Sequence, residues 1–307
     1  MLTPRLFCVG VLHGLLWAQA PDLPSIEWRN HVTSVREQSF VRPTALNSIR
    51  VVTWNIDHGN NLDPLTAAMA GDSADLCLLQ EVDWGTKRTE KADVAGQLAG
   101  RLHLNLAYGV EFEELSQEEG GPAFIGQATL TRLPIRRSRV LRFEHQSGFW
   151  RPRSWIPSSL EIMQRRVGGR VALVSDLEFG GRLLVVYNAH LESRSYGRIQ
   201  NEQLDEMLAD LSRNYPPDTT VILGGDLNTK YFPSWFLRKL EKAGFRSALG
   251  EHVQRTHKIA FTLDWIFVRG PVEVESAAVE KDWKGSDHYA LRTELVSNDQ
   301  MRREARK

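Results

Sequence analysis

Val221-Ile222-Leu223-Gly224-Gly225-Asp226-Leu227-Asn228-Thr229 runs from three aliphatic residues through a glycine pair into an acid and an amide. Successive aliphatic side chains fit a short strand buried on both faces, and the glycines with Asp-x-Asn mark its end. A strand expected over 219–223 therefore delivers Asp226 and Asn228 just past its C-terminus. The same arrangement recurs on either side of it. Thr53-Trp54-Asn55-Ile56-Asp57 closes a strand expected over 50–54, and Leu78-Leu79-Gln80-Glu81-Val82-Asp83 closes one over 76–79. Tyr187-Asn188-Ala189-His190-Leu191-Glu192 puts an imidazole after a strand over 182–188. Leu263-Asp264-Trp265-Ile266-Phe267 lies in a strand over 261–268, and Gly285-Ser286-Asp287-His288 opens one over 288–295.

Further strands are expected over 127–131, 170–177 and 272–277, and helices over 92–102, 203–211 and 233–243. Strands alternating with amphipathic stretches indicate a layered α/β protein. Leu177-Glu178-Phe179-Gly180-Gly181-Arg182 joins two strands through a glycine pair, which predicts a hairpin and an antiparallel component. In the helix over 203–211, Leu204, Met207, Leu208 and Leu211 share one face, while Asp205, Glu206 and Asp210 are expected to point to solvent. The third helix has Pro233 in its first turn, Ser234 as a candidate cap and Gly244 just past its end.

The 307 residues are 42% hydrophobic and 25% charged, an ordinary globular balance for which one large α/β domain suffices. With 38 Lys+Arg against 38 Asp+Glu there is no global basic field to draw in nucleic acid. A nuclease stays open, because a bound cation supplies positive charge locally. Cys8 and Cys77 are the whole cysteine complement, which excludes a disulfide scaffold and a multi-cysteine zinc site.

Residues 1–20 differ from the rest. Arg5 precedes an apolar run over 6–17, and Ala18-Gln19-Ala20 has the small residues a signal peptidase reads. We expect a signal peptide and a secreted or periplasmic protein, since a membrane anchor needs about 20 apolar residues. Its removal takes away Arg5 and leaves a net charge of −1, with no transmembrane segment expected in the mature chain. Residues 21–48 read as a polar N-terminal arm, 49–296 as the catalytic domain and 297–307 as a basic tail.

Any single Asn or Asp at a strand end is ordinarily a terminator or turn residue, and a lone histidine is ordinarily packing. Six such endings in one chain, supplying carboxylates, amides and two imidazoles, are not explained that way. In this order and spacing they resemble the endonuclease/exonuclease/phosphatase superfamily, which includes the deoxyribonuclease I, exonuclease III, neutral sphingomyelinase and inositol polyphosphate 5-phosphatase groups. The resemblance runs from about Ile49 to Leu295. It rests on Asn188-Ala189-His190-Leu191, Gly225-Asp226-Leu227-Asn228 and Ser286-Asp287-His288 occurring together.

The resemblance implies a four-layered αββα sandwich, two mixed sheets flanked by helices, with the active site at one end of the sheets. It also implies a divalent cation, Mg²⁺ with Mn²⁺ as substitute, at Asn55 and Glu81 with Asp287 beside them. Hard oxygen donors that leave waters and phosphate in the shell suit such an ion. His190 matches the residue that stabilises the scissile phosphate, and Asp226 with Asn228 the pair that orients the attacking water. Asp264 matches the carboxylate that orients His288. Either His288 or Asp226 then takes the proton from water in an in-line hydrolysis.

Two features depart from the family pattern. Gly126-Gln127-Ala128 stands where many members read Gly-Asn-Ala, and a long insertion between Ile135 and Arg170 contains Gly148-Phe149-Trp150-Arg151-Pro152-Arg153-Ser154-Trp155. Its aromatics and arginines suit base stacking, a lipid interface or plain packing on the sandwich edge, and Arg165-Arg166 is a candidate phosphate clamp. The expected substrate is a phosphodiester, with nucleic acid or a lipid head group both open. A phosphomonoesterase is the alternative within the family, and a catalytically silent binding protein the alternative outside catalysis. No partner protein is evident.

Overall fold

The computed structural model describes residues 35–149, 166–231, 233–259 and 261–298. The expected signal peptide, the basic end of the tail, Arg165 and the aromatic stretch from Trp150 to Trp155 lie outside them. The strands are β1 (Val35–Gln38), β2 (Ser48–His58), β3 (Leu76–Trp84), β4 (Asn105–Glu114), β5 (Phe124–Thr131), β6 (Ile135–Arg142) and β7 (Arg166–Gly168), then β8 (Val171–Phe179), β9 (Arg182–His190), β10 (Thr220–Asp226), β11 (Arg246–Ser247), β12 (Asp264–Arg269), β13 (Val272–Glu280) and β14 (Ala290–Ser297). The helices are α1 (Leu62–Asp72), α2 (Val94–Leu102), α3 (Arg198–Asn214) and α4 (Pro233–Lys242).

One mixed sheet runs β1-β4-β5-β3-β2-β14-β13, with β7 added on β4, and the other β11-β12-β10-β9-β8-β6. Strand alternation decides what lies between them. On β2, Ile49 and Val51 enter a core shared with Leu78, Val186, Ile222 and Ile266, which lies between the sheets. The alternate residues Val52, Trp54 and Ile56 join Leu65, Met69, Leu98 and Leu102 of α1 and α2. On the far side, Val185, Tyr187, Val221 and Leu223 pack against Leu204, Met207 and Leu211 of α3 and against Phe236 and Leu240 of α4. Three cores separate four layers, which is the expected αββα sandwich.

A polar tie crosses the inner core. Gln80 Nε2 donates to Asn188 Oδ1 at 2.8 Å, and Asn188 Nδ2 donates to the backbone oxygens of Ala128 at 2.9 Å and Leu79 at 3.2 Å. Both side chains are fully buried, so these bonds join the sheets where no water can substitute.

Phe179 and Arg182 pair across the Gly180-Gly181 turn, whose φ values are +60° and +76°. Two successive left-handed residues are what a two-residue hairpin needs, and glycine adopts them without a Cβ penalty. The helix expected over 92–102 begins at Val94, because Asp93 accepts the Gly96 N–H at 2.9 Å as its cap. The strand expected over 261–268 begins at Asp264. Thr256 Oγ1 accepts the N–H groups of Leu263 and Asp264 and holds the preceding segment as a loop.

Asp210 corrects the expectation that it faces solvent. It is buried and accepts from Tyr187 Oη and Arg139 Nη2, both at 2.6 Å. That arginine comes from β6, a strand absent from the sequence reading because its Arg-rich stretch carries no apolar alternation. β6 is the edge of its sheet, where charged residues are expected. Within the arm over 21–48, Val35–Gln38 pairs antiparallel with β4.

Candidate active site

Three strands of the second sheet carry a row of functional groups across the sheet. β9 and β10 run parallel with Asp226 opposite His190, and β10 and β12 run antiparallel with Asp226 opposite Asp264. Gly225 permits this approach, because a Cβ there would sit 1.9 Å from the Ala189 carbonyl oxygen. His288 closes the row from the start of the segment leading into β14. Its Nδ1 lies 2.8 Å from Asp264 Oδ2, and its Nε2 lies 3.8 Å from Asp226 Oδ2. His190 Nε2 is 3.5 Å from that same oxygen. One Asp226 oxygen therefore stands between two imidazoles. Asn228, at φ +49°, donates its N–H to Asp226 Oδ1 at 3.0 Å and its Nδ2 to the Leu191 oxygen at 3.0 Å.

The first sheet contributes from β2 and β3, where pairing slips. The register shifts between Asn55 and His58 on β2 and between Leu79 and Val82 on β3. Asp57, His58 and Glu81 adopt φ of +46°, +68° and +52°, a region costly for residues with a Cβ. These irregularities turn Glu81 out of the strand alternation toward the pocket. Asn55 Nδ2 donates to Glu81 Oε1 and to Asp226 Oδ2, each at 3.1 Å, and so joins the two sheets' contributions. Ser286 Oγ donates to the Asn55 oxygen at 2.7 Å, and Trp54 Nε1 to the His288 oxygen at 3.0 Å, which fixes the 285–288 turn against the end of β2.

The charges are set by this geometry. Burial would raise the Glu81 carboxyl, but His58, His190, Arg166 and the Asn55 amide outweigh it and hold the group well below the usual carboxylate range. Burial opposes protonation of His288, yet the Asp264 carboxylate bonded to its ring, with Asp226 beyond, raises its pKa above the ordinary imidazole value. Burial depresses His257, with the neighbouring His288 adding to the effect.

Several residues at the site were not among the sequence candidates. Arg170, at the start of β8, places Nη1 2.5 Å from Glu111 Oε1 and 2.8 Å from both ring nitrogens of His190. A nitrogen equidistant from both cannot lie along either lone pair, so the guanidinium braces the ring. Glu111 Oε2 lies 3.3 Å from His190 Nδ1 and accepts from Gln127 Nε2 at 3.0 Å, which gives the Gln127 departure a buried partner. His58 Nδ1 lies 3.3 Å from Asp83, whose carboxylate is gripped by Arg88 at 2.6 and 2.7 Å. Arg166, Arg170, Arg194 and Lys230 line the pocket of about 440 Å³ together with Glu81, His190, Asp226, Asn228 and His288. Arg166 belongs to the clamp expected at Arg165-Arg166, whereas Arg170, Arg194 and Lys230 had no signal beyond their charge.

Among the described residues, three groups of side chains come close enough to hold a cation: Asp57, His58 and Glu81; Asp226, Asp264 and His288; and His257, Asp287 and His288. In the last, His257 Nδ1 accepts the Ile259 N–H at 2.9 Å, so the neutral ring carries its proton on Nε2, 3.3 Å from Asp287 Oδ2. That nitrogen has no lone pair to offer. In the second group, His288 Nδ1 is already committed to Asp264. The first fits best: Glu81 is ionised, Asp226 is reached through Asn55, and beside the His58 imidazole the donors are hard oxygens with no thiol. Asp287 groups with His257 and His288 rather than with Glu81.

A family model described as the endonuclease/exonuclease/phosphatase family matches residues 52–288. Comparison with curated protein sequences gave no significant match. Among solved structures, an endonuclease/exonuclease/phosphatase from Beutenbergia cavernae aligns over 82% of this chain and 72% of its own, at 17% identity and a TM-score of 0.61. The human Nocturnin catalytic domain with bound sulfate aligns over 86% and 97%, at 18% identity and 0.61. Truncated Caenorhabditis elegans TDP2 aligns over 81% and 98%, at 18% and 0.52. At these identities the likeness to solved structures is one of fold.

Proposed function

This chain belongs to the endonuclease/exonuclease/phosphatase family, whose members are phosphodiesterases or nucleases, and from that premise we propose that it is an exported, divalent-metal-dependent phosphodiesterase. The observation that carries this reading is the single Asp226 oxygen set between the His190 and His288 rings and bridged by Asn55 to Glu81. Glu81, with Asn55, Asp57 and Asp226 around it, would hold Mg²⁺ or Mn²⁺. Such an ion supplies charge neutralisation at a phosphoryl oxygen.

The remaining steps belong to the chain's own side chains. His190, braced by Arg170 and Glu111, donates to a non-bridging oxygen. Asp226, oriented by Asn228, accepts the proton of the attacking water. His288, kept protonated by Asp264, stabilises the charge that builds on the phosphoryl group as water adds opposite the leaving oxygen. Export rests on the leader-like residues 1–20.

Purified protein should hydrolyse bis-p-nitrophenyl phosphate, lose that activity to a chelator and regain it with Mg²⁺ or Mn²⁺. Absence of hydrolysis with any divalent ion would leave a catalytically silent scaffold. Processing within 18–21 during bacterial expression, read by intact mass, tests export. The four pocket cations favour a second reading, a monoesterase, because a terminal phosphate carries an extra charge. Faster turnover of p-nitrophenyl phosphate than of the diester would select it.

A further inference from the structure

The large hydrophobic side chains exposed among the described residues are Tyr196, Tyr231, Trp235, Val253, Ile259 and Phe261. Three loops carry five of them, and Trp235 follows in the first turn of α4. Each loop also lines the catalytic pocket, through Ser193 and Arg194, through Asn228 and Lys230, and through His257 and Leu263. The loops are tied together, since Thr229 Oγ1 donates to the Thr262 oxygen at 2.9 Å. Five of the apolar groups therefore stand on the loops that rim the pocket, and Trp235 shares a second groove with Tyr196. Scattered exposed hydrophobics are ordinary, but a set confined to one functional rim marks an interaction surface.

The most exposed of them is held at a cost. Tyr196 is 74% exposed and adopts φ +51°, followed by Gly197 at +92°. A tyrosine in the left-handed region gives up backbone stability, and in the free protein its side chain recovers little by burial, resting against Tyr231 with ring centroids 5.1 Å apart. Cations outnumber acids around it, since the groove that Tyr196 shares with Trp235 is lined by Arg198, Arg238, Lys239 and Lys242 against Glu202 and Asp205. Within the three loops Arg194, Arg255 and Lys258 are exposed, whereas the one exposed acid is Glu251.

We propose that this rim seats the pocket on an anionic phospholipid bilayer, so that the substrate is a phosphodiester of a lipid head group. The proposal deepens the phosphodiesterase reading and rests on it for the substrate. Aromatic rings beside cations suit the head-group region, and the aliphatic Val253 and Ile259 suit the acyl boundary below it. Those two side chains give a nucleic-acid strand no face to stack on, which favours the bilayer. No helix among the described residues is long and apolar enough to cross a membrane, so the contact is superficial.

Sedimentation with vesicles in chelator separates docking from catalysis, because it needs no turnover. Full-length protein should pellet with equimolar phosphatidylcholine and phosphatidylserine and much less with phosphatidylcholine alone. Tyr196→Ser with Ile259→Ser, both at exposed positions, should weaken partitioning by about tenfold or more, with an unchanged circular dichroism spectrum. Equal partitioning of variant and wild type, or no pelleting of either, overturns the proposal. So does binding of polydeoxythymidine in place of vesicles, which assigns the rim to a strand. A wild-type dimer that the double variant dissolves and that ignores vesicles assigns it to a second copy. Bis-p-nitrophenyl phosphate hydrolysis is scored separately, so docking without hydrolysis would condemn the enzyme reading alone.

Discussion

Across the second sheet, His190, Asp226 and Asp264 stand in one row because three strands keep their register. In the first sheet, His58 and Glu81 reach the same pocket, with Asp57 beside them, through broken register and left-handed backbone. The regular side holds the groups assigned to proton transfer, which must keep hydrogen-bond distances to one another. The irregular side holds the donors assigned to a cation, which need only converge on a point. Regular pairing transmits position from strand to strand, whereas a bulge positions one residue at a local conformational cost.

The largest effects should fall on the regular side. His190→Ala and His288→Ala are each expected to lower turnover of bis-p-nitrophenyl phosphate by about 10² or more while the far-ultraviolet spectrum is unchanged. A near wild-type rate in either would remove that imidazole from the row. Gly225→Ala tests the register itself. Its new methyl group would meet the Ala189 oxygen at 1.9 Å, so thermal unfolding should report a loss of about 2 kcal/mol or more. Gly71→Ala makes a control, because nothing lies within 4 Å of that position in α1 and the change should be neutral or slightly stabilising.

Asp264→Asn should cost about tenfold in rate and also move the pH profile. Asp264 raises the pKa of His288, so its removal lowers that pKa. The protonated ring is then lost at lower pH, and the alkaline limb of activity should shift down. An unmoved limb would mean that Asp264 does not govern His288. On the irregular side, Glu81→Gln should raise the Mg²⁺ needed for half-maximal activity, with partial rescue by excess metal.

The smallest expected effect concerns stability. Glu81 ionises more readily folded than unfolded, so its ionisation contributes stability that is present above its ordinary value of 4.5 and is lost as the pH falls below it. The difference in denaturation midpoint between wild type and Glu81→Gln should therefore shrink on acidification from neutral pH. A constant difference would show that the surrounding cations do not act on Glu81.

The contrast also explains what the sequence disclosed. Val221-Ile222-Leu223 before Asp226, and the aliphatic stretch before His190, are local patterns whose geometry follows from strand pairing. Asp57 follows an apolar strand too, but a turn to positive φ leaves no mark in residue type when the residue is Asp, His or Glu. β4 escaped the reading because Glu111 and Glu114 interrupt its apolar pattern, and both are buried beside arginines from distant segments. Arg170 and Lys230 joined the site for the same long-range reason. α1 escaped because Pro64 and Gly71 mask its Leu65 and Met69 spacing, although Pro64 sits in the first turn, where it is tolerated.

The buried Gln80 and Asn188 pair bears on how the chain reaches this state. The two amides come from residues 108 positions apart in different sheets, and neither meets its partner until both sheets have assembled and docked. Contacts of such long sequence separation tend to form late on the way to the native state. A collapsed intermediate with the sheets slipped against each other would strand these amides in an apolar interior, at a cost that disfavours the misdocked form. Asn188 thereby acts as a checkpoint on assembly, and weakening it should speed unfolding more than it slows folding.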